Sequence, residues 1–167
     1  MRIKRHYLSK RDSKKFKENL LRIYPKTFIE DVLKLGALEE AKVEDVKFYI
    51  IGGIPAFIII EDKPIPTLQL LLKLKDLKSY GLPIVVVDMG AVSRIIKGAD
   101  VMVPGIMRLE GSFNVNDIVV VIDEKYGKPI AVCTALMSYD EIIASSKGKA
   151  LKNLHHIGDK LWKTLRY

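Results

Sequence analysis

The stretch with the most chemistry in its residue types and spacing is Asp88-Met89-Gly90-Ala91, followed by Arg94 and Lys97. A helix that starts there offers main-chain N–H groups in its first turn, and Gly90 leaves the backbone uncovered for a close approach. Arg94 and Lys97 stand one turn apart and can neutralise neighbouring phosphates. That chemistry recognises a polyanion and breaks no bond. Met89 and Ala91 flank the exposed glycine, whereas Asp88, as an N-cap, satisfies some of the same donors and repels an anion, which makes it structural. Gly105 after Pro104 lets a base or ribose lie on a strand edge, or simply completes the turn. Lys160, Trp162 and Lys163 near the C-terminal end add two cations and a ring able to stack on a base. Trp162 also sits beside Leu161 and Leu165, and a lone tryptophan among leucines is more often a core residue.

Catalytic constellations are absent from the sequence. His155-His156 is adjacent instead of metal-spaced, and neighbouring strand positions point to opposite faces, so a solvated or hydrogen-bonded pair is expected and no metal site. No G-x-G-x-x-G, phosphate-binding P-loop or nucleophile elbow occurs, and no cofactor is expected. Asp88, Asp123 and Asp140 all have cap or turn explanations. The single cysteine, Cys133, lies in an apolar run and excludes a disulfide framework or zinc cluster within the chain.

The elements that must position the site follow from the same stretch. Ile84 to Val87 reads as a short buried strand, and Gly90 to Lys97 has helical spacing, with Val92, Ile95 and Ile96 on one face and Ser93, Arg94 and Lys97 on the other. Gly98 is placed as a left-handed C-cap. A second strand is expected over Ala99 to Val103, broken at Pro104-Gly105.

Charge supports the polyanion reading. The 167-residue chain carries a formal +8, and residues 1 to 26 alone hold ten Lys/Arg against Asp12 and Glu18. Residues 145 to 167 hold six more basic groups against Asp159, so both ends are basic and the middle is acidic. Clustered cations are the usual footprint of nucleic-acid binding through counterion release. A lysine-rich solvated surface of the thermophile kind is the plain alternative. Membrane spans are not expected, because the longest apolar run, Ile50 to Ile60, contains two glycines and a proline. The first residues lack a signal-peptide core, so a cytoplasmic protein is expected.

Elsewhere, Ile3 to Leu8 reads as a strand, and Ser9 caps a helix running to Tyr24 with Phe16, Leu20, Leu21, Ile23 and Tyr24 inward. Arg5, Lys10, Arg11, Lys14 and Lys15 form a secondary basic surface there. Thr27 and Glu30 suggest a capping box for a second helix that stops at Gly36. Val46 to Ile51 and Ile54 to Ile60 bracket Gly52-Gly53 as a hairpin, with Pro55 at an edge or bulge. Thr67 caps a leucine-rich helix, Leu68 to Leu77, apolar nearly all round, and Ser79 to Gly81 is the candidate domain boundary. Ile118 to Ile122 and Ile130 to Met137 are β-rich runs joined by a turn at Gly127. Ser138 and Glu141 form a capping box for a short helix ending at Lys147-Gly148, and the last segment suggests a closing hairpin around Gly158-Asp159.

The spacing D-x-G-A, six residues, G-A, four residues, P-G over Asp88 to Gly105 resembles the signature of the PUA domain, a small RNA-binding pseudo-barrel. In that family the strand-to-helix loop, the short helix and the next strand face RNA, which implies Met89, Gly90, Ala91, Arg94, Lys97 and Gly105 as contacts. Asn153-Leu154-His155-His156, followed by Gly158 to Trp162, resembles the tail of the translation-machinery-associated or malignant T-cell amplified sequence family. Pro66-Thr67-Leu68-Gln69-Leu70-Leu71 resembles that family's helix between its two domains. The resemblance implies an α+β chain with a pre-PUA α/β domain over 1–80 and a PUA pseudo-barrel over 81–167. It also implies transfer or ribosomal RNA as ligand, the small ribosomal subunit as the place of action in initiation, reinitiation or recycling, and a density-regulated-protein-like partner. The strongly basic N-terminal half departs from the eukaryotic pattern and looks archaeal.

The function expected is a noncatalytic RNA-binding factor of the translation apparatus. Its alternatives are a ribosome-biogenesis factor of the Nip type, an RNA-modification enzyme or its specificity subunit, and a protein-binding adaptor. The enzyme reading needs a catalytic pocket in residues 1 to 80, whose sequence offers no acid, nucleophile and cofactor set. The adaptor reading expects salt-insensitive RNA binding, the RNA reading a steep loss with salt.

Overall fold

Apolar residues at strand and helix periods build two sheets, each inside its own unit of the computed structural model, which describes residues 2 to 166. The units are Met1–Gly81 and Leu82–Tyr167. In the first, β1 (Lys4–Tyr7), β2 (Leu38–Val43), β3 (Val46–Ile51), β4 (Ile54–Ile60) and β5 (Lys63–Pro66) form an antiparallel sheet in that order. Helices α1 (Lys10–Ile23) and α2 (Lys26–Leu33) lie between β1 and β2 in the chain, and α3 (Leu68–Lys73) follows β5. The Ser9 hydroxyl accepts from the Asp12 N–H at 3.1 Å, as expected of the α1 cap. Phe16 of α1 stacks on Tyr49 of β3 with ring centroids 4.0 Å apart, and Phe28 of α2 meets Phe57 of β4 edge-on. Tyr24 is buried and its hydroxyl donates to the Pro64 carbonyl at 2.5 Å. Burial pushes that hydroxyl's pKa upward.

Several expectations for this unit are corrected. The inner stripe of α1 is narrower than expected, because Leu21 and Ile23 lie to the sides of the Phe16-Leu20-Tyr24 line and stay exposed. Helix α2 starts after Pro25, two residues earlier than a Thr27 cap requires; Thr27 donates instead to the Tyr80 carbonyl at 3.4 Å, and Glu30 faces Lys26. The Thr67 cap is present, accepting from the Leu70 N–H at 3.0 Å. The helix it opens stops at Lys73, where Leu74 turns extended and Asp76 left-handed, and Leu72 is exposed, so burial all round fails. Pro55 does sit at a bulge, where the β3–β4 ladder skips Ala56. Strands β2 and β5 had no expectation, because LEEAKV and KPIP conceal their alternation behind charges and prolines.

In the second unit the chain runs β6 (Ile84–Val87), α4 (Met89–Ile95), β7 (Val101–Met102), a 3₁₀ turn (Val103–Gly105), β8 (Ile106–Glu110), β9 (Ile118–Asp123) and β10 (Pro129–Ala135). Then come α5 (Tyr139–Ile143), β11 (Lys149–His156) and α6 (Lys160–Thr164). The sheet order is β7-β11-β10-β9-β6-β8, with β6 and β9 parallel and the other neighbours antiparallel. Its two edge strands, β7 and β8, are thus joined by only Val103–Gly105. Laid flat, the two edges would stand about 24 Å apart at the usual strand spacing. The four Cα steps from Met102 to Ile106 reach at most about 14 Å. The sheet must therefore curl on itself, which encloses alternate residues such as Val85, Val119, Val121, Cys133 and Leu151. Cys133 is free and fully buried, and burial pushes its thiol upward.

Several elements of this unit differ from expectation, and β8 had none. The second strand of the opening stretch shrinks to Val101–Met102, because the chain turns at Val103 to reach the other edge. The closing hairpin is a helix, because Asp159 caps α6 by accepting from the Trp162 N–H at 2.6 Å. The capping box of α5 is present, with Ser138 and Glu141 reciprocally bonded, although the helix ends at Ile143.

The aromatic cluster of the first unit gives a direct test. Phe28→Ala removes a fully buried ring that meets Tyr24, Phe57 and Tyr80. Urea denaturation followed by circular dichroism is expected to show a loss of about 3–5 kcal/mol; a change within experimental error contradicts this packing.

Candidate nucleic-acid interface

Helix α4 is short, and its two ends have opposite character. At its start the Asp88 carboxylate accepts from the Ala91 N–H at 2.7 Å, and Glu124 accepts from the Met89 N–H at 3.3 Å. Two carboxylates therefore stand where an incoming phosphate would have to sit. The expectation that the helix start receives an anion is corrected on that ground, while the structural reading of Asp88 holds. Met89 is 39% exposed and Gly90 is open, so this end offers apolar and main-chain surface with no positive charge.

The far end carries the cations. Arg94 and Lys97 are exposed, and neither has a carboxylate within ion-pair distance among the described residues. Gly98 closes the helix: its N–H donates to the Ile95 carbonyl at 2.9 Å, and the Ala99 N–H donates to the Arg94 carbonyl at 3.1 Å. That reverse pair needs the left-handed backbone Gly98 adopts, with φ +101°. Asn153 of β11 then clamps this end, its side-chain NH₂ donating to the Ile95 carbonyl at 3.0 Å and the Ala99 carbonyl at 2.9 Å. Its own N–H donates to Asp100 at 2.9 Å, and Asp100 also meets Lys149 at 3.5 Å.

Residues expected to act together divide into two sets. Ala91 and Gly105 are buried against each other: a Cβ on Gly105 would meet the Ala91 Cβ at 2.8 Å. Both are corrected from contact residues to packing residues, since the 3₁₀ turn passes directly under α4 and the Asp88 N–H donates to the Gly105 carbonyl. Arg94, Lys97, Met89 and Gly90 remain accessible. Ile96, expected inside, is 40% exposed beside the cations, because the inward face of the helix is Ala91 and Ile95.

Helix α6 joins this region through one carboxylate. Asp159 accepts from the Trp162 N–H, from the His156 N–H at 2.9 Å and bonds His155 Nδ1 at 2.9 Å. His155 is fully buried and His156 is not, so the two rings do divide between environments. His156 Nδ1 donates to the Ile157 carbonyl at 3.0 Å, leaving Nε2 as the end near Gly98, where an added Cβ would lie 3.6 Å away. Lys160 and Lys163 are exposed on α6, and Trp162 is half-buried with the Arg166 guanidinium 5.8 Å from its ring. Sequence reasoning gives Asn153, His156 and Lys149 no site role; the signal for the first two is their place in the tail motif, and for Lys149 the basic segment over residues 145 to 167.

The secondary basic surface is also revised. Arg5 holds Glu39 with two bonds of 2.9 and 2.8 Å, and is thereby committed inside its own sheet. The hydrogen bond from Arg5 holds the Glu39 carboxyl below the usual range. Lys10, Arg11, Lys14 and Lys15 are exposed along α1.

Asp159 supplies a test of the α6 anchor. Burial raises its pKa, but the hydrogen bond and charge of His155 and the two backbone N–H groups outweigh it, and the carboxyl lies below its usual value. A depressed folded pKa contributes stability that is complete above the unfolded value and is lost as pH falls through the folded one. Asp159→Ala is expected to lower stability at pH 7 by about 1 kcal/mol, as for loss of an N-cap. In thermal melts that difference is expected to shrink as pH drops below about 4; a difference independent of pH contradicts the anchor.

Known proteins are similar to this chain in sequence and in fold. The PUA domain family matches residues 83–157, and a family described as a domain of unknown function (DUF1947) matches residues 4–74. An uncharacterized protein of Methanocaldococcus jannaschii is 43% identical over 159 residues, covering 95% of each chain. Translation machinery-associated protein 20 of Saccharomyces cerevisiae is 32% identical over 158 residues, covering 87% of this chain and 84% of the yeast protein. Among solved structures, a hypothetical protein of the archaeon Pyrococcus horikoshii superposes with a TM-score of 0.85 at 34% identity, covering 97% of this chain and 99% of that one. By these likenesses the chain belongs to the family of translation machinery-associated protein 20 and the malignant T-cell-amplified sequence proteins, with a pre-PUA region followed by a PUA domain.

Proposed function

We propose that this chain is a noncatalytic RNA-binding factor of the translation apparatus, acting in the cytoplasm on ribosomal or transfer RNA at the small ribosomal subunit during initiation or recycling. The observation that carries the reading is the pair Arg94 and Lys97, exposed, without carboxylate partners among the described residues, and held against β11 by Asn153. Long flexible cations left unpaired beside exposed Ile96 and Met102 suit a ligand with regularly spaced phosphates and flat apolar bases. Lys160 and Lys163 on the neighbouring α6 extend the same charge. The names of the yeast and animal relatives favour translation over ribosome biogenesis.

Electrostatic contact of this kind has a definite salt signature. The paired change Arg94→Glu and Lys97→Glu is expected to leave the thermal melt unchanged, because both side chains are exposed. It is expected to weaken single-stranded RNA binding at least tenfold and to reduce the slope of log K against log salt by about 1.4, two phosphate contacts' worth. In sedimentation with small ribosomal subunits the wild-type chain is expected to travel with the subunit and the variant to remain behind. Equal binding by both proteins, with equal salt slopes, contradicts the reading.

A further inference from the structure

A second cationic feature lies on the first unit and is independent of the rim on α4. In the β1–β2–β3 ladder, Lys4 stands directly opposite Lys42, and Lys42 directly opposite Lys47. Directly opposed residues of an antiparallel pair share one face of the sheet, so three lysines form a row across three strands. Like charges so placed destabilise a sheet. Relief comes at one end only: Glu40, in the adjacent row, meets Lys47 Nζ at 2.7 Å and His6 Nε2 at 3.2 Å. Lys4 and Lys42 are exposed and have no carboxylate within ion-pair distance among the described residues. Glu44 and Asp45 lie in the turn beyond the row and pair with neither lysine.

These residues line a trough of about 370 Å³ whose walls are Lys4, His6, Glu40, Lys42 and Lys47. A second cleft of about 330 Å³ shares Glu40 with it and is bounded by Asp12, Lys15, Phe16 and Asn19 of α1, by Leu8 and by Tyr49. The trough therefore leads toward α1, where Lys15 adds a cation and Asp12 an opposing charge. Ala41 is the single apolar residue in its lining, which offers little to enter a bilayer, and its open cations are compact point charges suited to phosphate oxygens.

We propose that the Lys4–Lys42–Lys47 row is a second phosphate-binding tract, which takes the sugar-phosphate backbone of RNA across the β1–β3 face. This rests on the RNA-binding reading of the chain but uses residues separate from the rim on α4. The row accepts repulsion in the free protein, and a run of phosphates offsets it on binding. The tract carries no sequence preference, since phosphate contacts position a strand without reading its bases.

The test combines stability with mapping on the full chain. Lys42→Gln is expected to raise the melting temperature of the free protein, because it removes the central charge, and to weaken binding of a short oligouridylate several-fold, with a lower salt slope. Lys4→Gln is expected to act in the same direction. Amide shifts in a titration with the oligouridylate are expected at Lys4, His6, Lys42 and Lys47, and to persist in the Arg94→Glu, Lys97→Glu background. Shifts confined to α4 and β11, with Lys42→Gln binding as tightly as wild type, overturn the tract while leaving the RNA-binding reading intact. Shifts in the row together with unchanged affinity of the α4 variant sustain the tract and remove the rim. No response to RNA, with shifts produced instead by polyglutamate or phosphatidylserine vesicles, overturns the tract in favour of an acidic protein or membrane partner.

Discussion

Three residues, Val103 to Gly105, hold the two edges of the C-terminal sheet within reach of each other, and that tether governs the rest of the unit. A six-stranded sheet cannot stay flat when its outermost strands are consecutive in the chain. Curling encloses the valine-rich faces of β6 and β9 and brings the tether beneath α4, where only a glycine fits at position 105 against Ala91. The same fold-back sets β7 beside β11, so the end of α4, the hinge at Gly98 and the strand carrying Asn153 become neighbours. The site follows from closure of the sheet, not from any single catalytic arrangement.

Carboxylates then decide where the surface stays positive. Asp88 and Glu124 occupy the donors at the start of α4, and Asp100 and Asp159 each spend their oxygens on backbone N–H groups that fix the path of the chain. In the first unit Glu39 is committed to Arg5 and Glu40 to Lys47 and His6. Many cations escape such pairing and are left as open charge, among them Arg94 and Lys97 on one unit and Lys4 and Lys42 on the other. Where a carboxylate is committed to the fold in this way, the cations near it keep their charge open to a ligand.

Much of this could be read from the residue pattern, and the failures have physical causes. The strand, helix and glycine stop around Ile84 to Gly98 were legible because apolar period, cap and αL glycine agree with one another. Strands β2 and β5 were not, since a buried Glu39 neutralised by a distant arginine looks polar in one dimension, and two prolines at an edge look like a loop. The final helix looks like a hairpin in the sequence because the cap at Asp159 depends on His155 and His156 at the end of β11. Gly105 and Ala91 lie inside the motif that marks the family, yet their part is to let α4 approach the tether. Spacing revealed the motif, while only the closed sheet separates its contact residues from its packing residues.

The most direct measurement is ultraviolet crosslinking of the intact chain to RNA on small ribosomal subunits, with the attached peptides identified by mass spectrometry. Crosslinks are expected in peptides covering residues 89 to 102 and 149 to 163, the accessible parts of α4, β7, β11 and α6. Crosslinks restricted to residues 111 to 117, the segment that precedes β9, with none on α4 or β11, would contradict the account.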